Sequence, residues 1–211
     1  MAFHIVGYMR EANITNIMLI TGRECCGDLI RLLGSGQDLG VELTYRVQES
    51  ADGIAGALRL CRDFAQGGPI VVILGDNLLE NGINPLVGQY YRFNRDAMIF
   101  AKQVPDPQRF GVVTLDGEGK VVNIIEKPQE PETNLAVIGV YIYDHRVFNI
   151  IDTLKPSARG EYEVTDINRA YMNKGNLRCG MVEGWWSDAG TIESMHQAAE
   201  LIRKLRQGEK A

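Results

Sequence analysis

Apolar residues at Ala2, Ile5, Val6 and Met9 recur at the spacing of one helix face, and the next apolar run, IMLI at residues 17–20, is short and bracketed by polar turns. The chain is therefore expected to open with a helix that feeds a buried strand. A second helix over residues 26–33 ends at Gly34, after which Val41, Leu43, Tyr45 and Val47 alternate as strand residues do. A helix over residues 54–65 leads into IVVIL at residues 70–74, an unbroken apolar run that reads as a fully buried strand. This α-β-α-β-α-β order predicts right-handed crossovers and a mainly parallel α/β sheet flanked by helices.

After Asp76 the pattern predicts a helix near residues 86–93 and a strand at 98–104. The periodicity then changes to GVVTL, the turn DGEGK and VVNII, which reads as a hairpin. A strand at residues 137–143, a helix at 147–154 and a second helix from Asp166 follow, the last ending at Gly175 with Lys174 in its final turn. A closing helix from Thr191 presents Met195, Ala198, Ala199, Ile202 and Leu205 on one face and runs out in RKLRQGEKA, read as a solvated, frayed tail. No repeat or linker divides the pattern, so residues 1–211 are expected to form a single domain.

Charge narrows the partners. A net charge of -5 supplies no basic field for a nucleic-acid backbone. The longest apolar run is far too short for a bilayer, and the N-terminus lacks a basic stretch followed by an apolar one, so no membrane partner and a cytoplasmic location are expected. The four cysteines show no CxxC spacing and no histidine cluster beside them, which speaks against a zinc site.

Candidate chemistry gathers at strand ends. Asp76, in LGDN, closes the buried strand, where open α/β sheets take their ligands. Asp188, in WWSDAGT, is a second acid of the same kind. Each is equally explained as a turn residue or helix cap, but two together suit Mg²⁺, which one or two carboxylates hold along with phosphate oxygens and water. Glu126 and Lys127 leave the sheet at Pro128, where a carboxylate can accept from sugar hydroxyls and an ammonium can face a phosphate; an exposed ion-bearing strand end is the plain alternative. Gly111 permits close approach to the backbone, as does hairpin geometry alone. In QESADGIAGA, Gln48 offers an amide to a base and Gly53 a flat surface beside it. The Trp185-Trp186 pair reads as packing behind Asp188.

Taken in order, QESADGIAGA, LGDN, RFGVV, IIEKP, LAVIGVYIYD, KPSARGEYEVTDINRAY and WWSDAGT resemble the sugar-phosphate nucleotidyltransferases, above all the glucose-1-phosphate thymidylyltransferases. The resemblance covers nearly the whole chain. It implies a Rossmann-like sheet with a small sugar-binding β subdomain, and transfer of a nucleoside monophosphate from dTTP to glucose 1-phosphate with release of pyrophosphate. By position, Asp76 and Asp188 would hold Mg²⁺, Gln48 and Gly53 would face the base, and Gly111, Glu126 and Val137 would line the sugar pocket. Lys127 would hold the sugar phosphate. The implied partners are a nucleoside triphosphate, a sugar 1-phosphate and further copies of the chain in a homo-oligomer.

One departure from the family pattern bears on activity. The family's first strand runs into a GGxGTRL loop, whereas residues 1–8 here resemble the helix that follows it. The chain is thus expected to lack a central strand and the triphosphate cradle. Losing even one preorganised donor costs about 10²–10³ in rate. A shortened copy of an active enzyme is the favoured explanation, ahead of one half of a split enzyme or a non-catalytic sugar-nucleotide-binding protein. A metal-dependent glycosyltransferase is a further enzymatic reading, against which the IIEKP and WWSDAGT phrases stand.

Overall fold

The computed structural model describes residues 1–93 and 96–207, the side chains of 205 and 206 excepted. Its centre is β8 (Leu135–Tyr143), an all-apolar run apart from Gly139 and two tyrosines, buried along nearly its whole length. Such a strand needs partners on both edges and cover on both faces. One edge carries β5 (Ala97–Gln103), antiparallel with a bulge between Ile99 and Ala101. The other edge is shared: β3 (Ile70–Ile73) pairs with residues 140–143, and β6 (Gly111–Leu115) meets Ala136. Beyond β6 lies β7 (Val121–Glu126), and beyond β5 lies β9 (Leu177–Met181), parallel to it. The β6–β7 hairpin thereby extends the same sheet beyond the Ala136 end of β8.

Two smaller ribbons complete the strands. β1 (Asn16–Gly22) pairs in parallel with β2 (Glu42–Gln48), and β4 (Asn77–Leu79) pairs antiparallel with β10 (Trp186–Asp188). The α/β architecture is as expected; the six-stranded sheet is mixed, with β5–β9 its parallel pair, and β1–β2 form a separate parallel ribbon.

Helices cover both faces. α1 (Ala2–Glu11), α2 (Arg23–Leu33) and α5 (Asn84–Arg92) close one core around Val6, Met9, Leu33, Leu86, Phe100 and Ile138. α3 (Ile54–Arg59), α6 (Val147–Ile151) and α7 (Val164–Asn173) close the other around Leu58, Val113, Ile151 and Ile167. The single helix expected over residues 54–65 divides into α3 and α4 (Arg62–Ala65), because Leu60 and Cys61 tighten the chain through hydrogen bonds to carbonyls three residues back. α8 (Ile192–Gln207) starts at a reciprocal cap, with the Ser194 N–H on Thr191 Oγ1 at 3.1 Å and the Thr191 N–H on Ser194 Oγ at 3.0 Å. It continues into the stretch read as a frayed tail, the rest of which lies outside the described residues. Of its expected apolar face, Ala198 is buried and Ile202 half-buried, Met195 and Ala199 are exposed, and the Leu205 side chain lies outside the description. Among the described residues no helix is long and apolar enough to cross a membrane.

Two strands depart from expectation in burial. β3 is half-buried throughout rather than fully buried, and β1 is half-buried over most of its length. Both lend alternate residues to the two large cores: Met18, Ile20, Ile70 and Val72 to one, Ile17, Leu19, Val71 and Ile73 to the other. They therefore share a layer, yet no ladder joins them, and each pairs along one edge alone among the described residues.

Candidate active site

β3 ends in a turn at residues 74–76, and β4 begins at once. The β4–β10 register sets Asn77 opposite Asp188, so Asp76, in the turn just before β4, stands one residue out of register with Asp188. The Ala189 N–H donates to the Asp76 carbonyl at 2.8 Å and ties the two turns together. Asn77, 3% exposed, brackets the junction. Its Oδ1 accepts from the Gly139 N–H and from the Trp186 indole N–H, both at 2.8 Å, while its Nδ2 donates to Asp76 Oδ1 at 2.7 Å. A buried amide bonded through both its oxygen and its nitrogen holds Asp76 against β8 and β10 at once.

The Asp188 carboxyl is held above its ordinary range. Burial is the largest cause, the Arg109 guanidinium opposes it, and the negative charge of Asp76 adds to it. Arg109 reaches Asp188 Oδ2 at 3.2 Å and Asp106 Oδ2 at 2.9 Å, with its guanidinium 5.1 Å over the Phe110 ring. Phe110 in turn meets Trp186 edge-on at 5.2 Å. Asp76 and Asp188, of which Arg109 pairs with Asp188, form an acidic point that a divalent ion would suit.

The next residues of β6 turn the corner. Gly111 pairs with Glu126 across the hairpin, and a Cβ at Gly111 would lie 3.3 Å from Glu126 Oε2, 3.6 Å from Thr165 Oγ1 and 3.9 Å from Val137 Cβ. Glycine thus leaves open a niche walled by Gly111, Glu126 and Val137. Thr165, buried at the start of α7, donates to Glu126 Oε2 at 2.6 Å and fixes that carboxylate. Lys127 projects into solvent from a left-handed backbone (φ +43°) that its N–H holds by donating to Phe110 O at 3.0 Å. Non-glycine residues there cost about 1–3 kcal/mol, which marks the position as constrained by its surroundings. Tyr141 lies between the two groups of acids: burial pushes its phenol well above the ordinary value, and the charges of Glu126 and Asp76 both add.

At the end of β2, Gln48 Nε2 donates to Asp52 Oδ1 at 2.5 Å and to the Gly53 carbonyl at 3.1 Å. Gly53 has φ +95°, and Tyr162 O would stand 2.5 Å from any Cβ placed there.

The sequence matches the nucleotidyl transferase family over residues 1–204. The chain belongs to that family. It is 38% identical over 209 residues to the glucose-1-phosphate thymidylyltransferase of Neisseria gonorrhoeae, covering 98% of this chain and 73% of the relative. It is 40% identical over 195 residues to the low-salt glycan biosynthesis nucleotidyltransferase Agl11 of Haloferax volcanii, covering 92% of this chain but only 55% of that relative's length. A Bacillus anthracis crystal structure, described as a candidate glucose-1-phosphate thymidylyltransferase in complex with a sucrose, superposes with a TM-score of 0.90 at 47% identity, over 96% of this chain and 82% of that one. A UDP-glucose pyrophosphorylase complexed with UDP-glucose shares the fold, with a TM-score of 0.83 at 21% identity, over 96% of this chain and 86% of that one.

In this nucleotidyl transferase fold the expected residues fall into three groups: Asp76 with Asp188, Gly111 with Glu126, Val137 and the adjoining Lys127, and Gln48 with Gly53. Arg109, two residues before Gly111, joins the first two groups. Residues 162–165 join the last two, with Tyr162 on Gly53 and Thr165 on Glu126. Sequence reasoning missed Arg109, Asn77, Tyr162 and Thr165. Each lies within a phrase already singled out, in RFGVV, LGDN and EYEVTD, but what makes it matter is a partner far along the chain.

Proposed function

We propose that this chain binds a nucleoside triphosphate and a sugar 1-phosphate side by side and serves nucleotidyl transfer, with dTTP and glucose 1-phosphate as the pair and dTDP-glucose and pyrophosphate as products. The observation that carries the reading is the pairing of Asn77 with Asp188, which sets two carboxylates together, joined through Arg109 to the Gly111–Glu126–Val137 niche. The named relatives support the substrate pair.

Asp76 and Asp188 would hold Mg²⁺. Among the described residues no group of three or more His, Cys, Asp or Glu side chains converges, so phosphate oxygens and water would complete its shell. When bound, the ion would neutralise charge on the α-phosphate. Gly111, Glu126 and Val137 would take the sugar, with the Glu126 carboxylate accepting from its hydroxyls. The Lys127 ammonium would hold the sugar phosphate, one oxygen of which attacks the α-phosphorus in line. The new P–O bond forms as the α–β bond breaks and pyrophosphate leaves. The nucleophile is already anionic, so no general base is needed, and catalysis is positioning with charge neutralisation. Gln48 and Gly53 would face the base.

The unpaired edges of β1 and β3 favour a second reading, in which the chain binds nucleotide sugar without turnover. β1 ends at Gly22 and β3 at Ile73, two residues before Gly75; a Cβ at either glycine would meet open space, and Asp76 follows Gly75. We propose that a further strand and the donors for the β- and γ-phosphates belong in that gap.

The test is Mg²⁺-dependent pyrophosphate release with glucose 1-phosphate and dTTP, UTP, ATP, GTP or CTP in turn, alongside calorimetric titration of dTDP-glucose and UDP-glucose. Release selective for dTTP and abolished by Asp188→Asn supports transfer. Tight dTDP-glucose binding with no release supports the binding reading, and absence of both overturns the proposal.

A further inference from the structure

Tyr162 is bound by its backbone to both sides of Gly53. Its N–H donates to the Asp52 carbonyl at 2.7 Å, its own carbonyl accepts from the Ala55 N–H at 3.2 Å, and that carbonyl lies so close to Gly53 that only glycine fits. Asp52 is also the acceptor for Gln48. The aim of the Gln48 amide therefore depends on where residue 162 stands.

The other side of Tyr162 is equally constrained. Glu163 accepts from Ser157 Oγ at 2.8 Å and from Arg159 at 2.8 and 2.9 Å, and the Ser157 N–H donates to Glu161 O at 2.8 Å, so the loop that carries Tyr162 is tied to itself. Three residues on, within the first turn of α7, Thr165 holds the Glu126 carboxylate. Only Glu163 and Val164 separate residue 162 from Thr165, and Glu163 is itself tied into the loop by those bonds.

Arg59 keeps Tyr162 in place. Its guanidinium lies 4.7 Å over the Tyr162 ring and reaches the Ile151 carbonyl at 3.3 Å, while its Nε is buried without a hydrogen-bond partner. An unmet buried donor is costly. The ring contact, a favourable cation–π arrangement, is what this placement gains, and it anchors the loop to α3.

We infer that Tyr162 is a positioning residue that couples the nucleotide-side loop to the sugar-side carboxylate, and that Arg59 holds it in that role. The ligand names rest on the functional reading above; the coupling itself does not. Occupation of the Gln48–Gly53 side orders residue 162, which orders Thr165 and Glu126, and the reverse holds with equal strength because coupling is reciprocal.

The experiment titrates the full chain with the non-reacting pair dTDP and glucose 1-phosphate, each alone and each at saturation of the other, and follows amide exchange at Ala55 and Asp166. Each ligand is expected to tighten the other about fivefold or more. Tyr162→Ala and Arg59→Gln bring that factor close to one and speed exchange at both amides, whereas Tyr162→Phe, which keeps the ring, retains wild-type values. A merely structural role would lower the melting temperature and leave the coupling factor in place. Wild-type coupling in both Tyr162→Ala and Arg59→Gln overturns the inference, as does equal loss in Tyr162→Phe. If neither ligand binds the wild type, the functional reading fails and exchange decides: unchanged protection at Asp166 in Tyr162→Ala and Arg59→Gln overturns the coupling.

Discussion

Asp188 sits where burial and two opposing charges meet, and its acidity follows from all three. Its folded-state pKa is raised above 3.8, so between that value and the folded one the native protein binds more protons than the unfolded chain. Stability falls as pH rises through that window, and at neutral pH the ionised carboxylate is a liability. Asp188→Asn is therefore expected to raise the melting temperature at pH 7 without added metal, by an amount that shrinks as pH falls toward 4. Mg²⁺ should stabilise the wild type and not the variant. Calorimetric scans across pH check both, and a variant that melts lower than wild type at pH 7 would reverse the sign argued here. The acid itself was legible in WWSDAGT. Its environment was not, because Arg109 and Asp76 lie far from it in sequence and are brought there by β10 pairing with β4.

At the scale of elements, two glycines separate stability from recognition. A Cβ at Gly139, in the middle of β8, would stand 2.5 Å from Asn77 Nδ2 and 2.8 Å from Leu74 Cδ1. Gly139→Ala is expected to destabilise the fold by about 1–3 kcal/mol, the usual effect of overpacking, and to disturb Asp76 through Asn77. Gly111→Ala meets the Glu126 carboxylate at 3.3 Å and otherwise only ordinary contacts, Thr165 Oγ1 at 3.6 Å and Val137 Cβ at 3.9 Å. It should leave denaturant midpoints nearly unchanged while raising KM for the sugar phosphate about tenfold or more, a loss of about 1.4 kcal/mol in binding. Equal effects of the two variants on stability would count against the niche. The hairpin that carries Gly111 was readable because DGEGK is strong local turn chemistry, and the Gly119 N–H indeed donates to Asp116 O at 3.0 Å. β4 and β10 were not readable: three residues each, NLL and WSD, carry no alternation, and they exist only because each is the other's partner.

Across the whole molecule, the sheet is continuous from β7 to β9 and interrupted between β1 and β3. Backbone groups on an unpaired edge exchange with solvent unless covered. Amides of β1 and β3 that point away from β2 and β8 should exchange orders of magnitude faster than those of β5 and β8, whose ladders are satisfied on both sides. Protection at β1 and β3 equal to that at β8 would mean that the edges are covered in solution. The sequence anticipated helices packed on the faces of a sheet, since the helix periods and apolar runs are local properties of the chain; that they close two large cores was visible only in the structure. It overstated the burial of residues 17–20 and 70–74, because an apolar run reports what a strand could bury and not whether a neighbour is present.

By itself the sequence determined most of the helices and the longer strands, the α/β class, the family phrases and the acids and glycines within them, all of which follow from nearest-neighbour chemistry: side-chain period, turn residues and strand-end position. Only the tertiary structure decided that Asn77 pairs with Asp188, that Arg109 links the acids to the Gly111 niche, and that Tyr162 and Thr165 join the Gln48 loop to Glu126. Those contacts span from 39 to more than a hundred residues of chain, and no local pattern specifies them. They arise because β8 is buried on both faces and each edge must be satisfied, which draws distant segments to a single strand end.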